Sequence, residues 1–195
     1  MKMLIIYTHP NHRSLSYSFL QEVINGSKEN ANIQEVQILD LYEEDFNPVL
    51  VFNEHKRRRD MYTEPGLAKY RDQLTWADKI VFVYPIWWGR PPAMLLGYID
   101  QMFASGFAYK DTGGLLPEGL LQGKSVICIS TMKGPTHYPL LWLYNAHKVL
   151  MRKALFNYVG IKKVKFFEFG NMESPSGKHK EKLNKIHRYF QSLNG

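Results

Sequence analysis

Three short runs of apolar residues, Met3–Tyr7, Lys79–Pro85 and Ser125–Thr131, constrain this chain more than any other feature. Each is almost continuously apolar, the pattern of a strand buried on both faces. Two further strand-like segments, Ile33–Asp40 and Val164–Phe169, bring the number to five. Helical patterns separate them at Ser16–Glu29, Gly66–Thr75, Pro92–Phe103 and Leu140–Tyr158, and a last one covers His179–Leu193. Alternating strands and helices imply right-handed crossovers and a doubly wound parallel sheet. The expected fold is therefore α/β, with five parallel strands in one domain spanning residues 1–195. Ligands of such sheets gather outside the carboxyl ends of the strands.

Composition narrows the class. At 195 residues and 45% hydrophobic content the chain has enough apolar surface for one well-developed core, which excludes a disordered protein. Its apolar runs are far too short to span a bilayer. The first residues lack the basic, apolar and small-residue order of a signal peptide. The one cysteine, Cys128, cannot form an internal disulfide and argues against a cysteine metal site. Set in an apolar run, it reads as a buried, inert thiol. A soluble cytoplasmic protein without a metal is expected. The formal net charge is +7, concentrated in Lys56–Arg59 and in the lysines from Lys178 to Lys185. Glu54, Asp60, Glu64 and Glu181 interleave with these and no recognition motif accompanies them, so no nucleic-acid partner is expected.

The chemistry-bearing residues fall at three strand exits. The first runs from Thr8 to Ser18 and carries His9, Arg13, Ser14, Leu15 and Ser16 ahead of a helical pattern. A strand, a hydroxyl-rich loop and a helix start suit a phosphate, because the first helical N–H groups are unpaired and the dipole favours negative charge. Neither GxGxxG nor GxxxxGK[ST] is present. The same serines would also serve as ordinary helix caps. The second exit, Tyr84-Pro85-Ile86-Trp87-Trp88-Gly89-Arg90-Pro91-Pro92, is stiff and flat-sided, and suits a planar heteroaromatic ring. Its intervening N–H groups are expected to be free for a ligand. Adjacent tryptophans face opposite ways, so one should stack on a ring while the other packs inward or across an interface. The third exit, Ser130-Thr131-Met132-Lys133-Gly134-Pro135-Thr136-His137-Tyr138, lies at the same sheet edge. Tyr42–Pro65 and Ala104–Gly123 are long connections of the kind that often carry function.

These residues resemble the flavodoxin-like NAD(P)H:quinone oxidoreductases, a family that includes small bacterial enzymes and ancillary subunits of potassium-efflux systems. The resemblance rests on Thr8-His9-Pro10 with Ser14-Leu15-Ser16, Asp40-Leu41-Tyr42 with Asp45 to Leu50, Tyr84 to Gly89 with Pro92-Ala93 and Leu96-Gly97, and Gly106 to Tyr109. It implies strand order 2-1-3-4-5, a bound flavin and a homodimer with sites near its interface. By position, His9, Ser14, Leu15 and Ser16 would hold the flavin phosphate and ribityl chain. Pro85, Ile86, Trp87, Trp88 and Gly89 would line the isoalloxazine, with Thr131 opening the third flavin loop. Many members carry Thr-Thr-Gly-Gly there, whereas this chain reads Ser130-Thr131-Met132-Lys133-Gly134. In eukaryotic members a Tyr and a His assist hydride transfer. Tyr138 and His147 occupy that region at different spacing, with His137 as a competing candidate.

The resemblance implies a hydride passing from NAD(P)H through bound flavin to a quinone or similar acceptor, in ping-pong order. FMN is favoured, with FAD as the alternative, because the chain lacks the C-terminal extension of the longer FAD-binding members. The alternative is a flavin-binding ancillary subunit of a potassium-efflux transporter, docking through the Lys56–Arg59 loop, with oxidoreduction secondary. A one-electron flavodoxin fits poorly with a basic chain.

Overall fold

The computed structural model describes residues 1–55, 57–114, 117–175 and 178–194, so Lys56 of the basic cluster lies outside the described residues. Strands β1 (Lys2–Tyr7), β2 (Glu35–Asp40), β3 (Lys79–Pro85), β6 (Ser125–Thr131) and β7 (Lys163–Phe169) form one parallel sheet in the order β2-β1-β3-β6-β7. That is the 2-1-3-4-5 order, with β3 and β6 at their expected bounds. Strands β4 (Tyr109–Lys110) and β5 (Glu118–Gly119) make a small antiparallel pair within the long connection before β6.

Side-chain alternation divides the sheet between two cores. Leu4, Ile6, Ile80, Phe82, Tyr84, Val126 and Cys128 face one side, packed with α2 (Ala68–Trp76), α3 (Ala93–Met102) and Met151 and Phe156. Met3, Ile5, Tyr7, Val81, Val83, Ile127 and Ile129 face the other, against α1 (Leu15–Lys28) and α6 (His179–Gln191). Every residue of β3 is buried, whereas the edge strands β2 and β7 are partly open. Each fully buried aliphatic side chain is worth about 1.5–3 kcal/mol, so the central strands anchor the exits that follow them. Helices α1 and α6 cross tightly at Gly26, where a Cβ would lie 2.4 Å from the His187 carbonyl oxygen. Cys128 is buried, and burial pushes its thiol up to about 12.

Two helical expectations are corrected. Gly66–Thr75 begins as a 3-10 turn, Pro65–Leu67, before α2. Leu140–Tyr158 is not one helix. It divides into α4 (Tyr138–Leu143), α5 (Ala146–Val149) and a π-helical segment, Leu150–Phe156. The break is at Tyr144 and Asn145, both left-handed with φ of 49° and 55°. Asn tolerates that conformation, while Tyr adopts it at a steric cost that tertiary contacts must offset. The corner lets α4 lie against the Trp88–Gly89 turn while α5 sends His147 into the core. Among the described residues no helix is long and apolar enough to cross a membrane.

Candidate functional site

Parallel pairing brings the three exits together. Register partners Tyr7 and Val83, and Pro85 and Thr131, end side by side, and the Thr8 N–H donates to the Val83 carbonyl at 3.0 Å. The first loop is wound by its own polar groups. The Arg13 N–H donates to Asn11 Oδ1 at 2.8 Å, and the Asn11 N–H donates to His9 Nδ1 at 3.0 Å. His9 Nδ1 is thus an acceptor, which leaves Nε2 to carry the ring hydrogen. Burial lowers its pKa and favours the neutral imidazole.

Ser14 is the N-cap of α1, accepting from the Tyr17 N–H at 3.2 Å, with the Tyr7 hydroxyl also 3.2 Å away. Ser16 has a different part. It is buried, and its Oγ lies 2.8 Å from Thr131 Oγ1, tying the first exit to the third. Among the described residues the backbone N–H groups of Leu15 and Ser16 have no protein acceptor. The buried hydroxyls of Thr8 and Ser130 likewise have no partner. Buried polar groups left unpaired by protein cost about 1–3 kcal/mol each, so an edge that collects them is built for a polar guest.

At the second exit Trp87 and Arg90 exchange backbone hydrogen bonds of 3.0 and 3.1 Å across a two-residue turn. Trp88 and Gly89 form it with φ of 52° and 72°, as a type I′ turn requires. The Ile86 N–H donates to the Thr131 carbonyl at 2.8 Å. The expectation of free N–H groups along this loop is therefore corrected. Those of Ile86, Trp87 and Arg90 are spent on the scaffold, and among the described residues those of Trp88 and Gly89 have no protein acceptor. Neither tryptophan packs inward, which leaves the interface as the alternative for the second ring: Trp87 is 41% exposed and Trp88 97%. Trp87 meets the His9 ring edge-on at 5.9 Å. Pro85 is buried at the end of β3, and Ile86 packs half-buried against the core.

A family model described as a flavodoxin-like fold matches residues 1–193. The chain belongs to this flavodoxin-like family. A Haemophilus influenzae protein named "Uncharacterized NAD(P)H oxidoreductase" is 34% identical over 174 residues, covering 88% of this chain and 85% of that protein. "FMN-dependent NADH:quinone oxidoreductase 2" of Bacillus cereus is 30% identical over 130 residues, 62% of each chain. Among solved structures, Smu.1420 from Streptococcus mutans superposes with a TM-score of 0.88 at 37% identity, covering 99% of this chain and 100% of that one.

A flavodoxin-like edge would offer its guest the Leu15 and Ser16 amides, the Thr8 and Ser130 hydroxyls and the Trp88–Gly89 turn. That donor set fits a flavin, with a phosphate at the helix start and a planar ring beside the tryptophans. The two residues expected to assist the chemistry are far apart in character. Tyr138 opens α4, half-exposed and stacked on Trp142 at 6.0 Å, and His137 before it is exposed. His147 is only 2% exposed, and both ring nitrogens are engaged. Nε2 lies 2.8 Å from the Tyr84 hydroxyl and Nδ1 3.0 Å from Glu168 Oε1. With Nδ1 donating to the carboxylate, Nε2 accepts from the phenol. Burial raises the Glu168 pKa, but hydrogen bonds from His147 and Lys148 outweigh it and leave the carboxyl below its ordinary value.

Sequence reasoning missed Tyr84 and Glu168 as the partners of His147. The available signal was two polar groups inside otherwise apolar strand ends, at register positions either side of Ser130. It also missed His12, whose Nε2 lies 2.6 Å from Asp40 Oδ2 and whose Nδ1 lies 3.4 Å from Glu43 Oε1. Ligand atoms of these three lie within 4.8 Å of one another. Each carboxylate faces a different ring nitrogen, which is the geometry of an ion-pair clamp.

Proposed function

We propose that this chain is a flavin-dependent NAD(P)H oxidoreductase that carries FMN at the carboxyl edge of its sheet and reduces a quinone or a similar acceptor. The observation that carries the reading is the convergence of unpaired amides and buried orphan hydroxyls beside the Trp87–Gly89 turn. The names of the Haemophilus and Bacillus relatives support the reaction class, and the latter supports FMN. When bound, the flavin would accept a hydride from NAD(P)H and pass it to the acceptor in a second half-reaction.

The chain's own residues supply position and electrostatics. The Leu15 and Ser16 amides, at the start of α1, hold the phosphate with the dipole behind them. His9 donates from Nε2, and Ser16 with Thr131 keeps two loops in register. The Trp88 and Gly89 amides would be available to hydrogen-bond the polar edge of a bound ring, with the exposed Trp87 as a stacking surface. Tyr138, an exposed phenol at the start of α4, would be the proton donor to the acceptor. His147 is a positioning residue that fixes Tyr84, immediately before Pro85, and so the loop that follows.

A second copy of the chain is the proposed cover for α4. Leu140, Leu141, Trp142 and Tyr144 are exposed there beside Trp88, an apolar surface of the kind that marks an interface. A single buried cysteine agrees with the reducing cytoplasm as the location. The ancillary-subunit alternative draws only on the exposed Arg57–Arg59 surface.

Steady-state kinetics test the reaction order. Varying NAD(P)H at several fixed quinone concentrations should give parallel double-reciprocal lines. Intersecting lines would contradict successive occupation of one site.

A further inference from the structure

The opposite edge of the sheet carries a cluster that the flavin site does not use. Lys79, Ser125 and Lys163 are register partners at the amino ends of β3, β6 and β7, so their side chains emerge in a row on one face. They line a cavity of about 540 Å³, together with Asp78, Lys165 and Tyr189. Lys79 is the unusual member. It is only 9% exposed, and among the described residues its ammonium has neither a hydrogen-bond acceptor nor an ion-pair partner.

Neighbouring charges do not relieve it. Asp78 at the cavity wall, its Oδ2 accepting from the Lys2 backbone N–H at 2.8 Å, supplies one negative charge against the three lysines Lys79, Lys163 and Lys165. The Lys165 ammonium sits 4.1 Å from the Tyr189 ring centroid, and the Met1 ammonium donates to the Asn32 carbonyl at 2.7 Å. Lys124 spends its ammonium on the Thr75 and Ala77 carbonyls, at 2.9 and 2.6 Å. Lys163, one strand beyond Ser125, is a second cation without a partner among the described residues, and it repels the first. Burial and that repulsion together hold the Lys79 ammonium below its ordinary pKa. Two cations flanking a hydroxyl on one face of the sheet leave a positive excess that an anion would neutralise.

We propose that Lys79, Ser125 and Lys163 form a phosphate-binding site at the amino edge of the sheet, about 20 Å along β3 from the flavin edge. Two ammonium groups call for two negative charges, which a phosphate carries near neutral pH and a carboxylate does not. Three donors also match its several oxygens, with lysine acting as a point charge. The cavity is larger than the anion, so inorganic phosphate and a phosphate monoester with its carbon part beside Tyr189 share this chemistry.

The test uses protein saturated with FMN, so that the phosphate cradle at α1 is filled. Thermal melting is followed against inorganic phosphate, glycerol phosphate and sodium chloride at matched ionic strength. Wild type should show a saturable rise with phosphate beyond that with chloride. In Lys79→Met and in Lys163→Met the half-saturating concentration should rise at least tenfold. Lys163 is exposed, so its variant keeps the test decisive if Lys79→Met folds poorly. Tighter binding of glycerol phosphate would identify an ester as ligand, and equal or weaker binding would identify free phosphate. A wild-type response no greater than that to chloride, or one unchanged in both variants, would overturn the proposal.

Discussion

The first and third strand exits reach the same sheet edge by different means. From Thr8 to Ser18 the loop is wound mainly by neighbours (His9 by Asn11, Arg13 by Asn11, the start of α1 by Ser14), with Thr8 to Val83 and Ser16 to Thr131 as its distant ties. From Ser130 to His147 the chain is organised by distant contacts. Gly170 donates to Thr136 at 3.0 Å, α4 lies on the turn at Gly89, and His147 is held by Tyr84 and Glu168. A locally wound loop survives the loss of any one bond, whereas a loop held by distant anchors shifts when one anchor goes.

That contrast orders the expected effects. The largest belongs to His147→Leu, which leaves Glu168 with one partner fewer inside the core. A loss of about 3 kcal/mol is expected by chemical denaturation, from the lost hydrogen bond to a buried carboxylate and the Tyr84 hydroxyl left unpaired. Retained wild-type stability would show that the third exit is not anchored there. Gly89→Ala comes next. A side chain at φ 72° would place its Cβ 2.7 Å from Leu143 Cδ1, and the left-handed conformation alone costs about 1–2 kcal/mol. FMN affinity measured by fluorescence quenching should fall at least tenfold.

Ser14→Ala should cost about 1 kcal/mol of stability, the usual value of a helix cap, with a modest loss of FMN affinity. A loss as great as that of His147→Leu would erase the contrast between the two exits. The smallest effect is on acid stability. The Glu168 carboxyl sits below its ordinary pKa, so its contribution is complete above the unfolded value of about 4.3 and is lost as pH falls through the folded one. Glu168→Gln should flatten the acid limb of the stability curve below about pH 4 and leave the neutral region flat.

The same contrast explains what could be read from sequence. Apolar runs and their breaks are local, so β3 and β6 were predicted to the residue and β1 and β7 to within one. The helix start at Ser14 was legible for the same reason, although cap and phosphate site remained open readings. The break at Tyr144–Asn145 carries neither glycine nor proline, so nothing local announces it. Its cause is the packing of Leu143 on Gly89 and of His147 on Tyr84, contacts between residues more than fifty positions apart. The exposure of both tryptophans was hidden likewise, because a type I′ turn with Trp88 at positive φ departs from strand alternation. In the sequence Lys79 is simply the first residue of a buried strand, and only the register sets Lys163 in the same row, one strand beyond Ser125.

Anaerobic mixing of the FMN-loaded protein tests the central claim most directly. NAD(P)H should bleach the visible flavin absorbance in one phase, and a following pulse of quinone should restore it in full. A protein that stays colourless after incubation with FMN, or whose bound flavin NAD(P)H leaves unbleached, would contradict the account.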